Sequence, residues 1–362
     1  MRLRRLRVEQ LRLIEAAELD LGPGLNWLSG ANGSGKSSLL EGISLLASGR
    51  SFRGGSVDSC VRRGSDALTV YAELDSGAVG ARRIGLRRML RGGFDARIDG
   101  AAVDALSELF RAFPAVVFPA DTGELISGPG EVRRRFMDWG LFHVEQDFFA
   151  VWRRFSRALR QRNLVLRTRQ PAAVEQAWRE ELVSHAGELH RMRAAYIDSL
   201  SPLVAQVASW LMPGLGPTRL SYRPGWPVDR ETLTDALTRS LDTDRRQGFT
   251  GLGPQRSGWS LSFEQLPQRE MFSRGQAKLA SLLMLLAQVD QFAIARGVPP
   301  IVGLDDALAE LDPGNQQRLV DYLGQRSIQA VLASADGEAV RRLAGSTSVV
   351  FHVEQGSVRG PL

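Results

Sequence analysis

The chain has 362 residues, 43% hydrophobic and 24% charged, a net charge of +6 and one cysteine, Cys60. That length asks for two domains, the composition is that of an ordinary globular protein, and a lone cysteine excludes an intramolecular disulfide or a cysteine-based metal site and suits a reducing cytosol. Lys36 and Lys278 are the only lysines among 46 basic residues, and because arginine grips phosphate with a planar fork, nucleic acid is a candidate partner.

The basic start, Met1-Arg2-Leu3-Arg4-Arg5-Leu6-Arg7, leads into no apolar signal-peptide core. No run approaches the roughly 18 apolar residues of a membrane span, so a cytoplasmic protein with no membrane partner is expected. Residues 1–29 read as two strands of a small sheet, turned at Gly22-Pro23-Gly24, with Leu25 to Ser29 plausible as a buried strand. Then comes Gly30-Ala31-Asn32-Gly33-Ser34-Gly35-Lys36-Ser37-Ser38, which fits the phosphate-loop pattern G-x-x-x-x-G-K-[ST]. An apolar helical pattern follows through Leu46. Strand, glycine loop and helix make the context that lets backbone N–H groups turn around an anion. Lys36 would reach the β- and γ-phosphates of a nucleotide and the Ser37 hydroxyl would ligate Mg²⁺.

After a basic turn with Arg50 and Arg53, residues 57–118 read as several short strands, with Asp75-Ser76-Gly77 and Arg91-Gly92-Gly93 as turns. Glu131 to about Leu211 is helical. Within it, residues 151–170 hold Arg153, Arg154, Arg157, Arg160, Arg162, Arg167 and Arg169 and no acid, which is either a solvated face or a phosphate-binding one. Residues 213–230 read as a linker and 231–241 as a helix. The remainder returns to mixed α/β: a loop at 251–256, a helix opening at Ser273-Arg274-Gly275-Gln276, buried strands at Ile301 to Leu304 and Ala330 to Ser334, and a terminal hairpin.

A phosphate loop needs a carboxylate at the end of a second strand to hold its metal. Asp305 fits that role, and Asp306, next in the chain, could orient or deprotonate the attacking water. Ser273, Gly275 and Gln276 at a helix start make a further anion site, Ser273 by its hydroxyl. Catalytic roles thus fall on Lys36 and Asp306.

Phosphate loop, Ser-x-Gly-Gln and metal acid, in that order, resemble the ABC-type ATPases. With Gly49-Arg50-Ser51-Phe52-Arg53, Arg133 to Asp138, Glu310-Leu311-Asp312 and Phe351 to Gly356 added, the chain resembles the RecF family over nearly its whole length. The resemblance implies an α/β, ABC-type ATPase head, residues 1–120 and 246–362, with a mostly helical lobe inserted at 121–245. It implies a slow Mg²⁺-dependent ATPase that dimerises on ATP, the Ser273 segment of one subunit covering the nucleotide of the other. It also implies sequence-independent binding of duplex or junction DNA in the repair of gapped or stalled replication DNA, with RecO and RecR helping to load recombinase. Arg50, Arg53, Arg153, Arg157 and Arg160 are the candidate DNA contacts. The alternatives are an ABC-type ATPase subunit or a nucleotide-switched scaffold that does not act on DNA. The sequence departs from the family pattern at Pro119 to Glu124, at Gln255, at Ala309, and at Ser334-Ala335, where a switch histidine is missing. These departures bear on hydrolysis more than on binding.

Overall fold

The computed structural model describes residues 1–75, 80–120, 123–268 and 271–361. In chain order, the first stretch builds β1 (Arg2–Leu11), β2 (Ile14–Asp20), β3 (Leu25–Ser29), α1 (Lys36–Ser48), β4 (Ala67–Asp75), β5 (Ala81–Met89), β6 (Phe94–Ile98), β7 (Ala101–Ala102), α2 (Leu106–Ala112) and β8 (Ala115–Phe118). The middle builds α3 (Glu124–Ser127), α4 (Gly130–Val144), α5 (Phe148–Thr168), α6 (Ala172–Leu211), β9 (Thr218–Arg223), α7 (Leu233–Arg239), α8 (Leu241–Gln247), β10 (Gly258–Phe263) and α9 (Arg274–Arg296). The last stretch builds β11 (Ile301–Asp305), α10 (Pro313–Gln325), β12 (Ala330–Ser334), α11 (Gly337–Leu343), β13 (Val349–Glu354) and β14 (Ser357–Arg359). Two compact units result, Met1–Thr122 with Arg296–Leu362, and Gly123–Ala295.

In the first unit, β2-β1-β4-β5-β6-β7 form an antiparallel sheet. β4 alternates buried and half-exposed residues along its length, as a sheet with one wet face must. The second sheet, β14-β13-β3-β12-β11-β8, is parallel except at its β14 edge. β11 and β12 are buried at every position, which is why their sequences are continuous apolar runs. Helix α1 packs on strands of both sheets, and eleven of its thirteen residues are buried. Each large aliphatic side chain buried there contributes about 1.5–3 kcal/mol.

The Gly-Pro-Gly turn does not join strands of one sheet, as expected from sequence. The Asn26 side chain accepts from Gly22 N (2.7 Å) and donates to the Gly22 and Gly24 carbonyls (both 3.0 Å), redirecting the chain from the antiparallel sheet into the parallel one. The segment 57–118 is not all strand, since a short 3-10 turn (Val57–Cys60) and α2 interrupt it. Of the Asp75-Ser76-Gly77 turn, Ser76 and Gly77 lie outside the described residues.

The second unit is built on α6, forty residues with a buried stripe of Leu182, Ala186, Leu189, Tyr196, Ile197, Leu200, Val204 and Val207 at helical spacing. The expected linker at 213–230 contains β9, which pairs antiparallel with β10. Gln288 on α9 donates to the Phe136 carbonyl (2.8 Å) and Tyr196 Oη (2.7 Å), tying α9 to α4 and α6. Residues 246–295 therefore group with the helical unit, whereas the sequence placed the break at 245/246. Helix α9 also qualifies the expectation that no run could span a membrane. Its best 18-residue window has mean hydropathy 1.4, and 83% of that window is buried in the protein. It is a core helix.

Arg162 corrects the picture of α5. It is not on the basic face but fully buried, donating to Glu175 Oε1, Asp244 Oδ2 (both 2.9 Å) and Thr250 Oγ1 (2.7 Å). Two carboxylates compensate one guanidinium and fasten α5 to α6 and α8.

Candidate functional site

The phosphate loop leaves the carboxyl end of β3, the position at which parallel sheets present ligand sites. Gly35, the N-cap of α1, has φ +119°, a conformation that a side chain resists. At Gly30 a Cβ would lie 2.1 Å from the Val353 carbonyl oxygen, so only glycine lets the loop run beneath β13. The turn after β13 fixes the loop from the other side, Gly356 N donating to the Ser34 carbonyl at 2.8 Å.

An open cleft of about 470 Å³ lies over this loop, lined by Leu13, residues 32–38, Phe52, Arg53, Pro119, Ala120, Asp305 and Asp306. Every lining residue belongs to the first unit. Strand β12 lies between β3 and β11, so the loop and the acids arise from strands one apart. Ser37 Oγ donates to Asp305 Oδ1 at 2.7 Å, across 268 positions of sequence. Lys36 Nζ donates to the Gly30 and Ala31 carbonyls, both at 2.8 Å, which leaves its third proton for another acceptor. Ser34 Oγ is buried and has no hydrogen-bond partner among the described residues. Ser38 is buried too, its N–H turned back to the Gly35 carbonyl.

Burial pulls the Lys36 ammonium below its ordinary pKa, opposed by the charges of Asp306 and Asp305. Burial also pushes the Asp305 carboxyl up, against the Ser37 hydrogen bond and the nearby Arg53 and Lys36. Both groups would gain from a partner of opposite charge. Asp306 sits just past β11 with φ +48°, held by its N–H to the Ala333 carbonyl at 3.0 Å. An orphaned hydroxyl, a glycine cradle, a desolvated ammonium and a serine–carboxylate pair fit a polyphosphate with Mg²⁺. Among the described residues no three His, Cys, Asp or Glu side chains converge as a metal cage. A serine and one carboxylate suit Mg²⁺, which completes its shell with water and phosphate.

Lys36, Ser37, Ser38, Asn32 to Gly35, Asp305 and Asp306 are thus brought together; Gly30 and Ala31 support them through their carbonyls. Arg53, expected as a DNA contact, lines this cleft, while Arg50 is exposed, its carbonyl accepting from Ser44 Oγ. Asp121, in the segment expected to sense the terminal phosphate, lies outside the described residues. Ser273, Gly275 and Gln276 belong to the second unit. There Ser273 and Gln276 form a reciprocal cap on α9, Gln276 N donating to Ser273 Oγ (3.3 Å) and Ser273 N to Gln276 Oε1 (2.9 Å). Gln255 closes its own loop, donating to the Thr250 and Leu252 carbonyls. At the switch position Ser334 Oγ accepts from Asp336 N at 3.1 Å, and Ala335 is exposed. Arg153, Arg154, Arg157 and Arg160 line a shallow basic cleft of about 390 Å³ on α5 with Ala150, Trp152 and Ser156. No acidic residue pairs with these four among the described residues.

A family model described as the RecF/RecN/SMC N terminal domain matches residues 2–359. A DNA replication and repair protein RecF from Stenotrophomonas maltophilia is 41% identical over 363 residues, 99% of each chain. The chain belongs to the RecF family. A RecF of Xanthomonas euvesicatoria is likewise 41% identical, covering 98% of this chain and 97% of its own, and one from Edwardsiella ictaluri is 33% identical at 99% of each. Among solved structures, the recombination mediator RecF bound to ATP, of the RecFOR pathway, superposes with a TM-score of 0.88 at 22% identity, over 99% of this chain and 97% of that one. An Smc head domain from Pyrococcus furiosus gives 0.60 at 15% identity, over 99% and 95%. The fold is therefore the α/β head of RecF and SMC proteins.

Proposed function

We propose that this RecF-family chain is a cytoplasmic, ATP-dependent DNA-binding protein of recombinational repair, with a slow Mg²⁺-dependent ATPase as its switch. The observation that carries the proposal is the Ser37–Asp305 hydrogen bond. It joins a phosphate loop to a strand-end carboxylate within one cleft, in a chain whose relatives are named for DNA replication and repair. Asn32 to Ser38 would bind the phosphates through backbone N–H groups, with Lys36 set against the β- and γ-phosphates. Ser37 and Asp305 would hold Mg²⁺, whose chemistry is to neutralise charge on the phosphate oxygens. Asp306 would orient the attacking water and accept its proton. With no histidine at Ser334-Ala335, slow turnover is expected, as suits a switch. Dimerisation on ATP, through Ser273, Gly275 and Gln276 of the opposite subunit, and work alongside RecO and RecR in loading recombinase, complete the proposal.

DNA would be held by phosphate contacts, which are blind to sequence and weaken with salt. Arg153, Arg157 and Arg160, exposed and without acidic partners among the described residues, are the proposed contacts on α5, with Arg50 on the head. Replacing Arg157→Ala together with Arg160→Ala should weaken duplex binding in ATP and lower the log–log salt slope by about two, roughly one per arginine. Titrations at several salt concentrations measure this. Unchanged affinity and slope would clear α5 of a DNA role, and no DNA binding by the unmodified protein would favour the nucleotide-switched scaffold.

A further inference from the structure

Helix α1 carries one charged residue that lines no cleft. Glu41 is fully buried, four positions after Ser37 and so on the same side of the helix. Arg12 grips it bidentately, Nε to Oε2 at 3.0 Å and Nη2 to Oε1 at 2.8 Å. Ser51 Oγ also donates to it, and the Cys60 thiol lies at 3.4 Å. Arg12 in turn donates from Nη1 to the Ser59 carbonyl (2.7 Å) and from its backbone N–H to the Cys60 carbonyl (2.8 Å). Ser51 Oγ accepts from Arg53 N at 3.1 Å.

In each segment the cleft lining begins at the next residue. Leu13 follows Arg12, and Phe52 and Arg53 follow Ser51; these three line the cleft, whereas Arg12, Glu41 and Ser51 do not. A carboxylate removed from water is costly unless well paired, and a bidentate pair fixes distance as well as charge. Glu41 therefore ties two rim segments to the helix that bears Lys36 and Ser37.

We propose that Glu41 is a positioning residue that sets the rim of Leu13, Phe52 and Arg53 against the phosphate loop, so that the cleft grips the nucleoside part of its ligand as well as the phosphates. This rests on the cleft being a nucleoside triphosphate site. Leu13 and Phe52 supply the apolar rim, while the loop amides, Lys36 and Ser37 supply the phosphate contacts.

The probes are ATP and inorganic tripolyphosphate, each titrated calorimetrically with Mg²⁺ into the full chain. Glu41→Gln should lower ATP affinity about tenfold or more, about 1.4 kcal/mol, while tripolyphosphate affinity stays within about threefold. Arg12→Gln should do the same, and the double variant should be no worse than either single one, because the pair acts as a unit. Ser51→Ala, which leaves the Arg12 pair in place, should give a smaller loss in the same direction and covers the case of a Glu41 variant that does not fold. Unchanged ATP affinity, or equal losses for ATP and tripolyphosphate, overturns the proposal. If the unmodified protein binds neither probe, the nucleotide site itself is refuted and the proposal falls with it. If both bind normally and Glu41→Gln changes nothing, only the positioning role falls.

Discussion

Lys36→Ala is expected to weaken ATP binding by about 10²-fold. The ammonium is buried and spends two of its donors on loop carbonyls. In the proposed complex it offsets the charge of two phosphates, and charge-assisted hydrogen bonds contribute about 1.5–3 kcal/mol each. Among the described residues nothing else buried in the cleft lining carries positive charge, because Arg53 is exposed. Lys36→Arg should not rescue, since a guanidinium is too large for the seat of a compact ammonium. Folding should survive, because removing a desolvated cation relieves the burial that already lowers its pKa. Retention of a labelled ATP analogue measures the loss, with thermal melting as the control for folding. Full retention by a folded variant would mean that the loop does not bind the phosphates.

The site was legible where it is local in sequence. A phosphate loop is one strand, one turn and one helix start, so spacing alone reveals it. Asp305 was readable because a phosphate loop needs a carboxylate at the end of a second strand, and Ile301 to Leu304 is a short apolar run that ends in one. What stayed hidden was set by partners far along the chain. Arg162 looked like one more arginine of a basic helix, yet its partners Glu175 and Asp244 lie 13 and 82 positions away. Nothing in the sequence marks Glu41, because Arg12 and Ser51 approach it from outside the helix. Arg53 is exposed, and only the fold shows that it also lines the cleft.

The fold follows the same division. β11 and β12 are buried on both faces and wrote their places as apolar runs. β9 is half-exposed along most of its length and lies among Pro and Gly, so no alternation marked it. The Gly22-Pro23-Gly24 turn was recognisable as a turn, but its two flanking strands enter different sheets, a fact of topology and not of local chemistry. The family resemblance placed α9 in the head. Its Gln288 and Gln291 bond α4 and α6 instead.

The last expected result concerns the dimer. Asp306→Asn should bind ATP and hydrolyse it about 10²–10⁴-fold more slowly, since an amide cannot take the water's proton, and an ATP-dependent dimer should then persist. Into that background Ser273→Asp is the informative change. Ser273 caps α9 through its hydroxyl, and aspartate caps as well as serine does, so the helix start is kept. The new carboxylate would instead face the partner's triphosphate, if the Ser273 segment covers it. Two unit charges 4 Å apart at an effective dielectric of 20 repel by about 4 kcal/mol, and a symmetric dimer has two such contacts. Dimerisation should therefore weaken by at least about 100-fold. ATP binding by the monomer should hold, because the described residues that line the cleft all belong to the first unit. Ser273→Arg should also block the dimer by bulk, but it removes the cap as well, so only the aspartate separates anion contact from helix stability. Light scattering in ATP and Mg²⁺ measures the dimer and calorimetry the affinity. A normal ATP-dependent dimer in the Ser273→Asp, Asp306→Asn variant would remove Ser273 from the interface. Undiminished turnover in Asp306→Asn alone would move the general base elsewhere, to Asp305 or to the segment around Asp121.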